Sequence, residues 1–139
     1  MTKKSTIMDQ VQVEIDRVKS GMFLLVKLLN KDELKVLLDD SDAIIEKFYQ
    51  IVESACQKSG DYKLIKDVEP TKIYIILPDD EKAAEKLAYA IYSQVQLYID
   101  DKFPESYLRC VIGSIKFSEE RKIKAEKLLS LLVYGAISS

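Results

Sequence analysis

Asn30, Asp32, Glu33, Lys35 and Asp39 stand together in NKDELKVLLD (residues 30–39), directly after the apolar run GMFLLVKLL (residues 21–29). A run of that kind reads as a buried strand, and carboxylates gathered where a strand ends can hold the divalent cation that phosphoryl transfer needs. The first residue out of this strand is an amide, not an acid. A second polar set, Asp67, Glu69, Pro70 and Thr71, follows in KDVEPTK (residues 66–72). Lys27 lies inside the first strand, where it either pairs with Glu69 or points to the open face of a sheet. Taken alone, Asp32, Lys35 and Asp39 also read as an ordinary charged turn and helix start.

Composition narrows the chemistry. The chain has no histidine, which removes imidazole acid–base catalysis and the commonest zinc ligand. Cys56 and Cys110 lack metal-ligand spacing and sit among apolar residues, so they read as buried free thiols. No metal and no cofactor is expected. The 139 residues suit a single domain, with 47% apolar and 32% charged residues. With 21 basic against 23 acidic side chains the net charge is −2, which argues against nucleic acid as a partner. SEERKIKAEK (residues 118–127) alternates in sign and reads as a solvated helix face. No apolar run is long enough to span a bilayer and no signal-peptide core follows the N-terminal lysines, so the expected location is the cytoplasm.

Periodicity supplies the elements that would position these residues. Ile7, Val11, Ile15 and Val18 predict a helix over 5–19, stopped by Ser20-Gly21. Residues 22–29 form a strand apolar enough to be central. A helix capped by Ser41 or Asp42 carries the stripe Ile44, Ile45, Phe48, Ile51, Val52, Ala55 and Cys56 and ends at Gly60. Residues 61–67 and 72–78 read as a hairpin around Pro70. Asp79-Asp80 open a long helix buried along Ala84, Leu87, Ala88, Ile91, Val95 and Tyr98. Its tyrosines, Tyr89, Tyr92 and Tyr98, serve packing or a protein interface. A strand over 107–117 and an amphipathic helix over 125–134 complete the chain. The order βαββαβ predicts an α+β ferredoxin-like palm, an antiparallel sheet with helices packed on it.

Along this palm the punctuation resembles the GGDEF family, the diguanylate cyclase domains of bacterial cyclic di-GMP signalling. NKDELKVLLD is similar to the family's D-x-D-x-F-K-x-I-N-D: Asp32, Lys35 and Asp39 match, and Leu34 and Leu37 keep apolar positions. EPTKIYIILP (residues 69–78) lies where the name motif, an apolar strand and L-P would be. VIGSIKF supplies Gly113 to the last core strand, and AEKLLSLLVYGA (residues 125–136) resembles the C-terminal helix. Class III nucleotidyl cyclases share the palm, and Gly60-Asp61 after a helix resembles them more faintly.

Carried over residue by residue, the resemblance implies a degenerate site. The first metal-binding aspartate falls on Asn30 and the hairpin acid on Thr71. The guanine-reading asparagine falls on Leu38, and its aspartate partner near Lys47. Both turn glycines are replaced, by Glu69 and Pro70, and the inhibitory R-x-x-D motif is missing. Residual nucleotide or ion contacts would fall to Asp32, Glu33, Lys35, Asp39 and Glu69. The resemblance therefore implies a catalytically inactive signalling domain that works through a protein partner or self-association. Its N-terminal helix would be the connector or contact surface, through Ile7, Met8, Val11 and Val18, with a further domain beyond residue 139. The rival readings are a regulatory domain that binds GTP or a cyclic dinucleotide without turnover, a divergent cyclase with its metal moved to Asp32, Glu33, Asp67 and Glu69, and an unrelated ferredoxin-like binding module.

Overall fold

The computed structural model describes residues 7–30, 41–78 and 81–118. They form α1 (Ile7–Val18), β1 (Gly21–Leu29), α2 (Ser41–Ser59), β2 (Lys63–Lys66), β3 (Lys72–Leu77), α3 (Glu81–Lys102) and β4 (Arg109–Phe117). The four strands make one antiparallel sheet in the order β2-β3-β1-β4. This is the expected ferredoxin-like palm, with β1 paired on both sides. The C-terminal helix expected over 125–134 and the Asp79-Asp80 helix start lie outside the described residues.

β1 is apolar at both parities because each of its faces meets a hydrophobic layer. Met22, Leu24, Val26 and Leu28 join the main core beneath α2 and α3, with Ile44, Phe48, Val52, Ile75, Ile91 and Val95. Phe23 and Leu25 face the other way, into a smaller core with Tyr74, Ile76, Phe117 and the α1 residues Val11 and Ile15. Burying one such side chain contributes about 1.5–3 kcal/mol. That second core corrects the expected role of α1. Val11 is fully buried, Ile15 nearly so, and Ile7 and Val18 pack beside them. Only Met8 and Val13 are exposed as large apolar residues on this helix. Its apolar stripe, Val11 and Ile15 with Ile7 and Val18 beside them, serves as a lid on the sheet.

Two local details also differ from expectation. Ser20-Gly21 does not end α1. Lys19 does, in a left-handed conformation (φ 72°), and Gly21 is already the first residue of β1. In α3 the deep position falls to Ile99, while Tyr98 is half-buried and meets Phe103 edge-on at 6.0 Å. Gln96 is the buried polar residue that periodicity did not single out. Its Oε1 accepts the Cys110 backbone N–H at 3.0 Å, and its Nε2 donates to Asp100 at 3.0 Å. A helix side chain thus satisfies a sheet amide that no strand reaches.

Gly21 is needed for close approach. A Cβ there would stand 1.9 Å from the carbonyl oxygen of Leu77, which belongs to the neighbouring strand and cannot swing aside. Gly21→Ala should cost about 2–3 kcal/mol, visible as a lower urea midpoint with an unchanged slope. Burial pushes both thiols up, Cys56 and Cys110 each to about 12 from 9.0, with the charge of Glu53 adding to the shift of Cys56. Neutral thiols are favoured by the folded state, so their contribution is fully present below 9.0 and fades as pH rises toward 12. Urea midpoints measured across that window should fall, and fall less in the Cys56→Ala, Cys110→Ala double variant.

Candidate functional site

At the C-terminal end of β1 three segments converge: the strand's last residues, the β2–β3 hairpin and the approach to β4. The Leu28 N–H donates to the Thr71 carbonyl at 3.0 Å, fastening the hairpin to β1. Asn30 follows in the left-handed region (φ 62°), a conformation that asparagine tolerates better than most residues. Its side-chain amide donates to the carbonyl of Tyr107, two residues before β4 begins. Asn30 is therefore a clasp between the end of β1 and the start of β4. An aspartate could not donate that hydrogen bond.

Thr71 directly precedes β3, in phase with Ile73 and Ile75 of the main core. It is 2% exposed and its hydroxyl has no hydrogen-bond partner. The hydroxyl of Ser106, in the turn before β4, is likewise buried and unpaired. Both lie at the end of the sheet that carries Asn30.

The hairpin is held by its own acids. Asp67 accepts the Glu69 N–H at 3.0 Å through one carboxylate oxygen and the Tyr74 hydroxyl through the other. Its backbone N–H reaches the Lys72 carbonyl at 3.2 Å, and Lys72 N–H closes the turn on the Glu69 carbonyl at 3.2 Å. Burial, then the bond to Asp67, keeps the Tyr74 hydroxyl well above the ordinary tyrosine range. The Glu69 carboxylate meets Lys72 Nζ at 3.2 Å. On the α2 side, Lys66 Nζ stands 4.8 Å above the Tyr49 ring, a cation–π contact that pins the hairpin to that helix. Burial, then the charge of Asp67, raises the Tyr49 hydroxyl.

Of the residues singled out in the sequence, Asn30, Glu69, Pro70 and Thr71 stand at this end of the sheet. Lys47 is exposed on α2, and Pro70 is exposed at the turn. Asp32, Glu33, Lys35, Leu38 and Asp39 lie outside the described residues. Lys27 shares the α1 face of the sheet with Lys72, its partner across the strands. Tyr74, the second anchor of the hairpin, is not among the residues singled out. Only its position, opposite in parity to the core-facing Ile73 and Ile75, hinted that it faced elsewhere.

Two substitutions test these roles. Thr71→Val removes a buried hydroxyl that bonds to nothing and should raise stability by about 1 kcal/mol. Asn30→Asp loses the clasp on Tyr107 and should lower it by about 1 kcal/mol, since the site is exposed. Chemical denaturation of the two variants reads both signs.

No protein-family model matches the chain, and no curated protein sequence matches it. Among solved structures it is similar to the GGDEF domain of the PA2567 protein from Pseudomonas aeruginosa. The TM-score is 0.68 at 13% identity, over 95% of this chain and 84% of that one. The chain has the fold of a GGDEF domain.

Proposed function

We propose that this chain is a signalling domain of the GGDEF type that makes no cyclic dinucleotide and acts by binding another protein surface. The observation that carries the reading is the state of the two positions onto which the family's metal-binding acids fall. One is Asn30, whose amide is engaged by the Tyr107 carbonyl. The other is Thr71, a buried neutral hydroxyl. Joining two GTP molecules requires a 3′-hydroxyl to attack an α-phosphate while magnesium neutralises the developing charge, and magnesium favours carboxylate oxygens in octahedral array. An amide and a hydroxyl supply neither charge. By analogy with single-group losses of about 3–4 kcal/mol, losing both acids should cost several kcal/mol of transition-state stabilisation.

The described half of the relocated-metal cluster points the same way. Asp67 is engaged by Tyr74 and the Glu69 amide, and Glu69 by Lys72, so both acids act as hairpin braces. The second reading, nucleotide held without turnover, draws on the unpaired Thr71 hydroxyl, which has a free donor and acceptor to offer. Cytoplasmic placement fits a domain of this type, and no helix among the described residues is long and apolar enough to cross a membrane.

Purified protein incubated with GTP and magnesium or manganese should give no cyclic dinucleotide, and titration with GTP or cyclic di-GMP should give no heat. Binding heat that disappears in Thr71→Val would establish the second reading. Steady turnover that disappears in Glu69→Gln would overturn inactivity and place the metal on the hairpin.

A further inference from the structure

We infer that the cleft between α2 and α3, at the end of the sheet where β1 begins, binds a short anionic amphiphile, a carboxylate carrying an alkyl chain. The cleft has a volume of about 390 Å³, within the range of about 300–1,000 Å³ that small-molecule sites occupy. Leu77, at the end of β3, lies beneath it and pairs with Met22. Asn30 and Thr71 stand at the opposite end of these strands, so the inference goes beyond the proposed function and does not rest on it.

The opening follows from residue size. Over the middle of the sheet, Phe48 and Val52 of α2 and Ile91 and Val95 of α3 close the main core. Towards the end of α2 and the start of α3 the positions that line the cleft are Ala55, Ala83 and Ala90. Three methyl groups leave unfilled the space that larger side chains fill further along, and protein interiors seldom leave such space open. Leu77 and Leu87, both buried, make its floor apolar. From Ala83 to Ala90 the groove follows about 10 Å of helix, room for a chain of several methylenes.

Charge selects the kind of occupant. The chain as a whole is acidic, with 23 acids against 21 bases. Among the described residues, however, the charged side chains that line the cleft are both cations, Lys58 in the last turn of α2 and Lys86 on α3. Neither forms an ion pair among the described residues. Two ammonium groups on opposite walls of an apolar groove repel one another, and an anion between them relieves that repulsion.

A carboxylate with an alkyl chain answers both features. Its head stays near water between the lysines, and its chain lies along the alanines and removes apolar surface from water. A neutral apolar molecule would leave the two cations unanswered, and a bare anion would leave the floor of the groove wet. Because the walls belong to different helices, the occupant also ties α2 to α3 and stabilises the fold by an amount that grows with its concentration.

Titration of the isotope-labelled full chain with octanoate, followed through its amide chemical shifts, tests the proposal. Octanoate should shift the amides around Ala55, Ala83 and Ala90 and raise the melting temperature. Octanol and acetate should each bind at least about tenfold more weakly. The Lys58→Gln, Lys86→Gln double variant should weaken octanoate binding about tenfold. Its urea midpoint should not change, since both side chains are exposed in the free protein. Ala90→Leu should fill the groove and abolish the shifts; if it lowers the urea midpoint, the lysine variant alone decides. Absence of shifts at these amides overturns the proposal. So does octanol binding as tightly as octanoate, which marks a neutral groove, or acetate doing so, which marks a bare anion site. Undiminished octanoate binding by the lysine variant overturns it as well. Each of these results leaves the turnover assay to decide the proposed function separately.

Discussion

From Gly21 to Val26, β1 meets water on neither face, and most of the architecture follows from that. A strand with Met22, Leu24, Val26 and Leu28 on one side and Phe23 and Leu25 on the other requires a layer above and a layer below. Two long helices, α2 and α3, cover the first side. α1 must cover the second, and this is why its apolar stripe is consumed by the fold. Pairing on both edges follows as well, since a buried strand needs partners for its backbone groups. β3 and β4 supply them, and Gly21 lets the Leu77 carbonyl come close where β1 begins.

The same constraint organises the cleft. Once β1 is fixed, its C-terminal end is a fixed point, and the hairpin and β4 are tied to it by Leu28 to Thr71 and by Asn30 to Tyr107. Asn30 and Thr71 are both neutral, and this end of the sheet holds itself together with hydrogen bonds. The acids that do remain on the hairpin are drawn inward, Asp67 to the Tyr74 hydroxyl and Glu69 to Lys72. Rigidity of the turn and availability of its acids are opposed here, and the fold has taken rigidity.

The palm was legible in the sequence because its signals are periodic and local. β1 has no polar residue from Phe23 to Val26, Pro70 marks the hairpin, and the stripe from Ile44 to Cys56 repeats at helical spacing. The order of those elements, with L-P and the late glycine, was enough to suggest the GGDEF fold at an identity of 13% to the solved domain. What was not legible depends on partners distant in the chain. Nothing near Asn30 says that its amide meets Tyr107, 77 residues away. Gln96 looks like an ordinary surface glutamine until β4 is placed beside it. The apolar residues of α1 read equally well as a docking face or a core face, because periodicity reports amphipathicity without naming the surface that is covered.

The two edges of the sheet show how far such reasoning extends. β2 is four residues long and carries Lys63 and Lys66 at its ends, features that discourage another strand. Its backbone is further constrained by Lys66 against Tyr49 and by the Asp67 brace. β4 has nine residues, and Gln96 caps its amide at Cys110. The edge beside the hairpin is short and the far edge long, while each carries two basic side chains. The two edges therefore differ in length and in what holds them, the Asp67 brace next to β2 and a helix side chain at Cys110 of β4.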